Sequence, residues 1–550
     1  MGTIVKFKPD MDYYYTRGVA SYESENYTDA LKSFREAYVL ACNESQDGYH
    51  SIMTVEMACC YRNLNLMREA QLMYYKTLTD CDPDTSFDSV LGLIDIFSST
   101  EKEEAYKYYM DYAAKKGYSR ELDFIETTAE FRARKDFRVE PSPDRAIYNL
   151  GKKLMDIGQL EFAAQMFETV PKETAAYADA CVKLATIYND GGDYARALEC
   201  AEYANSVSPN TESKINAALA LYKLGREKQY LTAIEDIEVS DDDISNLARM
   251  VNISAITGNA ESVIKYGRKL LRVSPQKMPM LCYAIALSNS GDNREARKIM
   301  VTLQALYPYD ATVRVFASLI ARSTDKTDFS LVCDIPQEVE TQILADLNDV
   351  LASCENDREL VKQKLCDSSL VTGVLLVFKF GSENSKRLLC DLVAEIPFYE
   401  NYIRDCLMDP GLSESDRKIM FPVAMRRFKK RPIFVTCRDV CRPHYGRPPA
   451  KASAKMRDAY VNAYSVIALL GCQAFEKEFN YEFNKLCSAL SGVRNVDETA
   501  AAAVLVGRMK VIQIIGSDES CIEMFGADRE TYMKYKELSE GRKSSAKAKK

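Results

Sequence analysis

Between Tyr177 and Asn210 the chain reads YADACVKLATIYNDGGDYARALECAEYANSVSPN, and this stretch constrains the fold more than any other. Apolar and small residues recur at helical spacing in two runs, Cys181-Leu184-Ala185-Tyr188 and Tyr194-Ala197-Leu198-Ala201-Ala204. Gly191-Gly192-Asp193 breaks the chain between them, and Pro209 stops the second run. Two short helices joined by a turn cannot bury their own apolar faces. The stretch therefore predicts neighbours of the same kind.

Those neighbours are visible along the chain. Tyr13 to Cys42 carries Tyr14, Gly18 and Tyr22 in a first helix and Tyr27, Ala30, Phe34 and Ala37 in a second. Residues 51–83 place Ala58, Tyr61, Ala70 and Tyr74 in matching positions, and residues 85–117 continue more weakly through Ala105 and Tyr109. A charged, less periodic passage, with a break near 130–143, reads as a long connection. The pattern resumes at Arg145 with Leu150, Gly151, Gly158, Ala163 and Phe167. It continues through residues 215–237 (turn at Gly225), 244–275 and 280–308 (turn at Gly291-Asp292). Ala163 and Ala197 share one register position, as do Val263 and Ala296. About eight two-helix units in roughly 300 residues imply a solenoid with a concave face.

With Ala185, Tyr188, Ala197 and Pro209 at its key places, the unit resembles a tetratricopeptide repeat, and the resemblance covers about residues 11–320. Ala201 departs from it, standing where the family prefers a larger residue. The resemblance implies an all-α fold, a right-handed α–α superhelix over residues 1–322, in which the first helix of each unit lines a groove. Carried onto this chain, groove positions include Asp12, Tyr15, Val19 and Tyr22; Arg145, Tyr148 and Lys152; and Asp179, Val182, Thr186 and Asn189. Aromatic side chains on rigid helices make good anchors for a peptide, since they bury area at low entropic cost. The lysine, asparagine and arginine set by which some members hold terminal carboxylates is not found, because Tyr15 and Val19 occupy the first unit's positions.

Past Arg322 the repeats end. Residues 323–430 read as amphipathic helices, with Asp334-Ile335-Pro336 as a helix entry. Residues 431–540 read as a helical C-terminal domain in which Pro432–Cys437 pairs with Val440–Tyr445 as a small β-hairpin across Arg438-Asp439. Residues 541–550 are a solvated basic tail. From Arg417 to Arg457 there are thirteen basic residues against the single acid Asp439, in a chain of net charge −8. That imbalance predicts a surface for an anionic partner, nucleic acid or acidic protein, with Arg426, Arg427, Lys429, Lys430, Arg438 and Arg442 as candidates. Residues 517–538 weakly resemble a DNA-binding helix-turn-helix: Gly526 suits a left-handed turn and Asp528 a cap. Bulky Ile522 and the acids Glu530 and Glu537 depart from that pattern.

Phosphate-cradling, dinucleotide, zinc-protease and nucleophile-elbow signatures are missing. Two histidines, His50 and His444, leave little room for imidazole chemistry. Cys437, Cys441 and His444 lack a fourth ligand at useful spacing, and they read as two hairpin thiols and a surface imidazole, with His50 in a turn. No cofactor or metal is expected. Seventeen scattered cysteines, no secretory signal and no apolar run of spanning length predict a soluble cytoplasmic protein with free thiols. The expected function is a non-enzymatic scaffold that binds a peptide or helix of another protein in its groove. The alternative is a regulator whose basic C-terminal region contacts nucleic acid.

Overall fold

The computed structural model describes residues 9–43, 47–79, 83–100, 102–117, 142–156, 158–355, 357–367, 369–430, 432–471, 475–509 and 517–540. The basic tail and most of the break near 130–143 lie outside them. Among the described residues are 28 helices, largely packed in consecutive pairs, and one two-stranded antiparallel sheet. No described helix is long and apolar enough to cross a membrane.

Six helices open the chain: α1 (Met11–Glu23), α2 (Tyr27–Asn43), α3 (Asp47–Asn63), α4 (Met67–Thr77), α5 (Pro83–Ser99) and α6 (Glu103–Lys116). Then come α7 (Pro143–Asp156), α8 (Leu160–Glu168), α9 (Ala175–Gly191), α10 (Tyr194–Val207), α11 (Thr211–Lys223) and α12 (Glu227–Glu235). The series ends with α13 (Ile244–Ile256), α14 (Ala260–Val273), α15 (Lys277–Ser290), α16 (Asn293–Leu306) and α17 (Ala311–Arg322). Contacts group the chain into two units. The first holds residues 1–46, 59–67 and 117–340; the second holds 47–58, 68–116 and 341–550.

In the first unit the sequence dictates each joint. Gly192 and Gly291 close α9 and α15 at φ 82° and 94°, a backbone region that costs a residue with a Cβ. The next residue, Asp193 or Asp292, then accepts a hydrogen bond from the N–H of Arg196 or Glu295 and starts the following helix. Small residues let the helices approach: Ala163, Ala197, Val263 and Ala296 are all fully buried. At Gly151 a Cβ would stand 2.6 Å from the Phe167 ring, so the aromatic of α8 occupies the space a side chain on α7 would need. Gly18 and Phe34 repeat that relation between α1 and α2. First helices also touch in succession, α7 on α9, α9 on α11, α11 on α13, α13 on α15 and α15 on α17, which makes one continuous row. Helix α2 packs on α16, and Tyr61 donates a hydrogen bond to the Leu306 carbonyl (3.0 Å).

The second unit adds α18 (Gln337–Ser353, its first turn grouped with the first unit), α19 (Arg358–Leu365), α20 (Val371–Phe380), α21 (Glu383–Val393), α22 (Pro397–Met408) and α23 (Glu414–Arg427). The hairpin comes after them, β1 (Ile433–Cys437) and β2 (Val440–His444), in register Ile433↔His444 through Cys437↔Val440. Its two-residue turn puts Arg438 and Asp439 at φ 47° and 62°, the geometry that matches strand twist. Last come α24 (Ala454–Leu469), α25 (Glu476–Ala489), α26 (Glu498–Arg508), α27 (Asp518–Phe525) and α28 (Arg529–Ser539).

The hairpin tip is gripped by the early helices of its own unit. Tyr75 donates to the Asp439 carbonyl (2.6 Å), Lys102 pairs with the Asp439 carboxylate (2.8 Å), and the Cys441 N–H donates to Tyr109 Oη (3.1 Å). At the opposite end, His444 is buried against Phe421 and Tyr464 (ring centroids 5.3 and 6.0 Å), not on the surface as its sequence context suggests. The register explains the correction. His444 stands opposite the fully buried Ile433 and shares a strand face with buried Val440, so pairing carries the imidazole into the core. His50 likewise lies inside α3, not in a turn.

Candidate functional site

The row of first helices α7, α9, α11 and α13 gathers most of the expected groove residues. Arg145 of α7 pairs with Asp179 of α9 (2.5 Å), and its guanidinium lies 4.6 Å from the Tyr148 ring centroid. Both charges are about half exposed, so the pair is a solvated tie between equivalent positions of successive helices. Tyr148 itself is buried, and burial raises its phenol pKa. Thr186 and Asn189 are engaged by α11. Asn216 donates to Thr186 Oγ1 (3.0 Å) and to the Val182 carbonyl (3.2 Å), while Asn189 donates to the Asn216 carbonyl (3.1 Å). Asn189 Oδ1 is buried with no hydrogen-bond partner among the described residues. Val182 is buried, and Lys152 is half-buried.

The first repeat behaves differently. Tyr15 packs 5.8 Å from the Phe34 ring and is half-buried; Tyr22 accepts a hydrogen bond from Asn63 (2.9 Å), and burial raises its phenol. Val19 is half-buried and Asp12 is exposed.

Sequence reasoning missed the next two helices of the row. Glu212 of α11 bridges Lys183 of α9 (2.9 Å) and Arg249 of α13 (3.0 Å), which threads three helices on one charge ladder. Beside it lies a concavity of about 460 Å³ lined by Ile244, Ser245, Ala248, Arg249 and Asn252 of α13 with Asn65, Met67 and Gln276. Ser245, Ala248 and Asn252 stand at i, i+3 and i+7 and so share a face of α13. Asn65, Asn252 and Gln276 each bring a carboxamide that can donate and accept, the pairing an extended peptide backbone offers. The signal was there in the 34-residue step from Val182 to Asn216, but the weak consensus of residues 244–275 hid the continuation to α13.

In the second unit the basic candidates separate. Arg427 forms a two-pronged pair with Asp391 (2.7 and 2.8 Å), and Arg426 meets Asp458 (3.1 Å) and Asn462 (2.9 Å). Arg442 donates to the Gly471 carbonyl (2.9 Å) and lies 5.2 Å from the Tyr108 ring centroid. Arg438 is exposed at the hairpin tip, whereas Lys429 and Lys430 are exposed near its other end.

The helix-turn-helix candidate has the expected joint: Gly526 is left-handed at φ 57°, and Asp528 accepts from the Thr531 N–H (2.8 Å). Helix α28 buries Tyr532 and Tyr535 and exposes Arg529, Glu530, Met533, Lys534 and Glu537, a face of mixed charge. Among the described residues no three His, Cys, Asp or Glu side chains are grouped to hold a metal.

No family model matches the chain, and no curated protein matches it. Among solved structures it is similar to a circular tandem repeat protein with novel repeat topology and enhanced subunit contact surfaces. That likeness is 12% identity over 97% of this chain and 94% of the other, with a TM-score of 0.13, too loose a superposition to carry an argument. What the chain's own packing establishes is a helical repeat architecture.

Proposed function

We propose that this protein is a non-enzymatic scaffold of tetratricopeptide-like repeats that binds an extended peptide segment of a partner protein along the α7–α9–α11–α13 row. One observation carries the reading: Asn65, Asn252, Gln276 and Arg249 all line the concavity beside α13. Asn and Gln amides supply directional pairing to a peptide's N–H and C=O groups, and Arg249 adds a charge-assisted donor for an acidic or carbonyl-rich segment. Rigid helices hold these groups in place, so little entropy is lost on binding. The scattered free cysteines support a cytoplasmic setting for this scaffold.

The test is selection of binding peptides from a displayed random library by the full chain, followed by photo-crosslinking. A crosslinker at Asn252 should capture the selected peptide, and one at exposed Glu199 on α10 should not. Asn252→Arg should lower affinity at least tenfold. Peptides that bind this variant as well as the parent, or crosslink equally from Glu199, reject the groove.

A further inference from the structure

The basic segment divides into cations the fold consumes and cations it leaves free. Arg427 is held by Asp391 and Glu395, Arg426 by Asp458, Lys418 by Glu414 and Lys455 by Glu498. Arg417 is turned onto the carbonyls of Asp409 and Pro410 (2.9 and 3.2 Å). Lys429, Lys430, Arg447 and Lys451 are exposed, with no carboxylate partner among the described residues.

Hairpin geometry brings Lys429 and Arg447 together. Since Ile433 pairs with His444, the approach to β1 and the exit from β2 leave from the same end. Arg447 closes the gap by donating to the Lys429 carbonyl (3.4 Å). Directly after β2 and two residues before Arg447 stands Tyr445, 62% exposed, the most open tyrosine but one among the large exposed side chains. Its neighbour Gly446 is buried so tightly on the Tyr464 ring that a Cβ there would lie under 3 Å from it. That contact pins the backbone and leaves the flanking Tyr445 and Arg447 side chains facing solvent.

We propose that the open end of the hairpin is a binding site for single-stranded nucleic acid. Tyr445 offers a ring face for an unstacked base, while Lys429, Lys430 and Arg447 meet the adjoining phosphates. The ring decides between classes of anion. An acidic polypeptide needs only the charges, and a base in a duplex is already stacked on its neighbours. The site belongs to the second unit and shares no residue with the α13 concavity, so it is independent of the peptide-binding reading.

The experiment measures fluorescence anisotropy of labelled oligouridine and oligothymidine of about 20 nucleotides with the full chain over a salt series. Binding should appear at low salt and weaken with a log–log slope of roughly −2 to −3, as expected for three or four phosphate contacts to a single strand. Lys429→Glu/Lys430→Glu/Arg447→Glu should weaken it by about 100-fold, and Tyr445→Ala by about tenfold. Arg494→Glu, a charge reversal at an exposed arginine outside the site, should leave it unchanged. Because Tyr445 is a surface ring, its truncation keeps the test informative if the triple variant unfolds. Three results would overturn the site: no binding at low salt, binding indifferent to both variants, or loss on Arg529→Glu/Lys534→Glu instead. Equal binding of polyglutamate or anionic vesicles, insensitive to Tyr445, rejects nucleic acid as the ligand.

Discussion

The two units are built on different principles. In the first, one local solution recurs: Gly158, Gly192, Gly225, Gly258 and Gly291 are left-handed, Asp193, Asn259 and Asp292 cap the helix after three of them, and a small residue stands at most crossings. Most pairs lean on their chain neighbours, with the tie of α2 and Tyr61 to α16 as a long-range exception. In the second, the core holds a knot of rings in which Tyr464 meets Tyr460, Phe475, Phe479, Phe421 and His444, and the hairpin is tied in by residues hundreds of positions away, such as Tyr109. Damage should therefore stay local in the first unit and spread in the second.

Acid should expose the knot with the largest effect. Burial, with Arg442 as a lesser cause, holds the His444 imidazole down at about 4 from an ordinary 6.5. The unfolded chain then binds the extra proton across that window. Stability is present in full above about pH 6.5 and falls as the pH drops towards 4, by up to about 3 kcal/mol. In urea melts the gap between the wild type and His444→Phe should stay constant above that window and shift in the variant's favour within it. Hydrogen exchange should show the second unit loosening before the first. Parallel pH curves throughout would remove His444 from the account.

Replacing Ala197 by Phe attacks the repeat principle. This fully buried side chain sits at a helix crossing, and overpacking there costs roughly 1–3 kcal/mol. Exchange protection should fall in α8 to α11 and persist in α15 to α17. Uniform loss over the first unit would show that its pairs are more cooperative than their local construction implies.

Tyr109→Phe tests long-range ties in the second unit. It strands the buried Cys441 N–H, at a cost of about 1–2 kcal/mol. The expected signature is faster exchange along both strands and in α6, although the two are far apart in sequence. Loss confined to α6 would mean the hairpin stands without it.

Arg145→Ala should do least. With its pair to Asp179 about half exposed on both sides, the change should cost under about 1 kcal/mol and weaken further in salt. A larger loss, measured by denaturant melts, would mean that its packing on Tyr148 matters more than its charge.

The helices, their joints and the hairpin were readable from the sequence because the forces that make them are local. Gly192 needs its left-handed turn, Asp193 caps the next helix, and Gly526 with Asp528 repeats the device near the chain's end, all within a few residues. The two-residue turn at Arg438-Asp439 arises in the same way from flanking β-rich runs. Burial of His444, capture of Arg427 by Asp391, the ladder from Lys183 through Glu212 to Arg249, and the meeting of Lys429 with Arg447 were not readable. Each depends on which face of one element meets another, and periodicity is silent on that. Local propensity determined the parts of this protein; only tertiary packing decided which charges are spent inside it and which stay exposed.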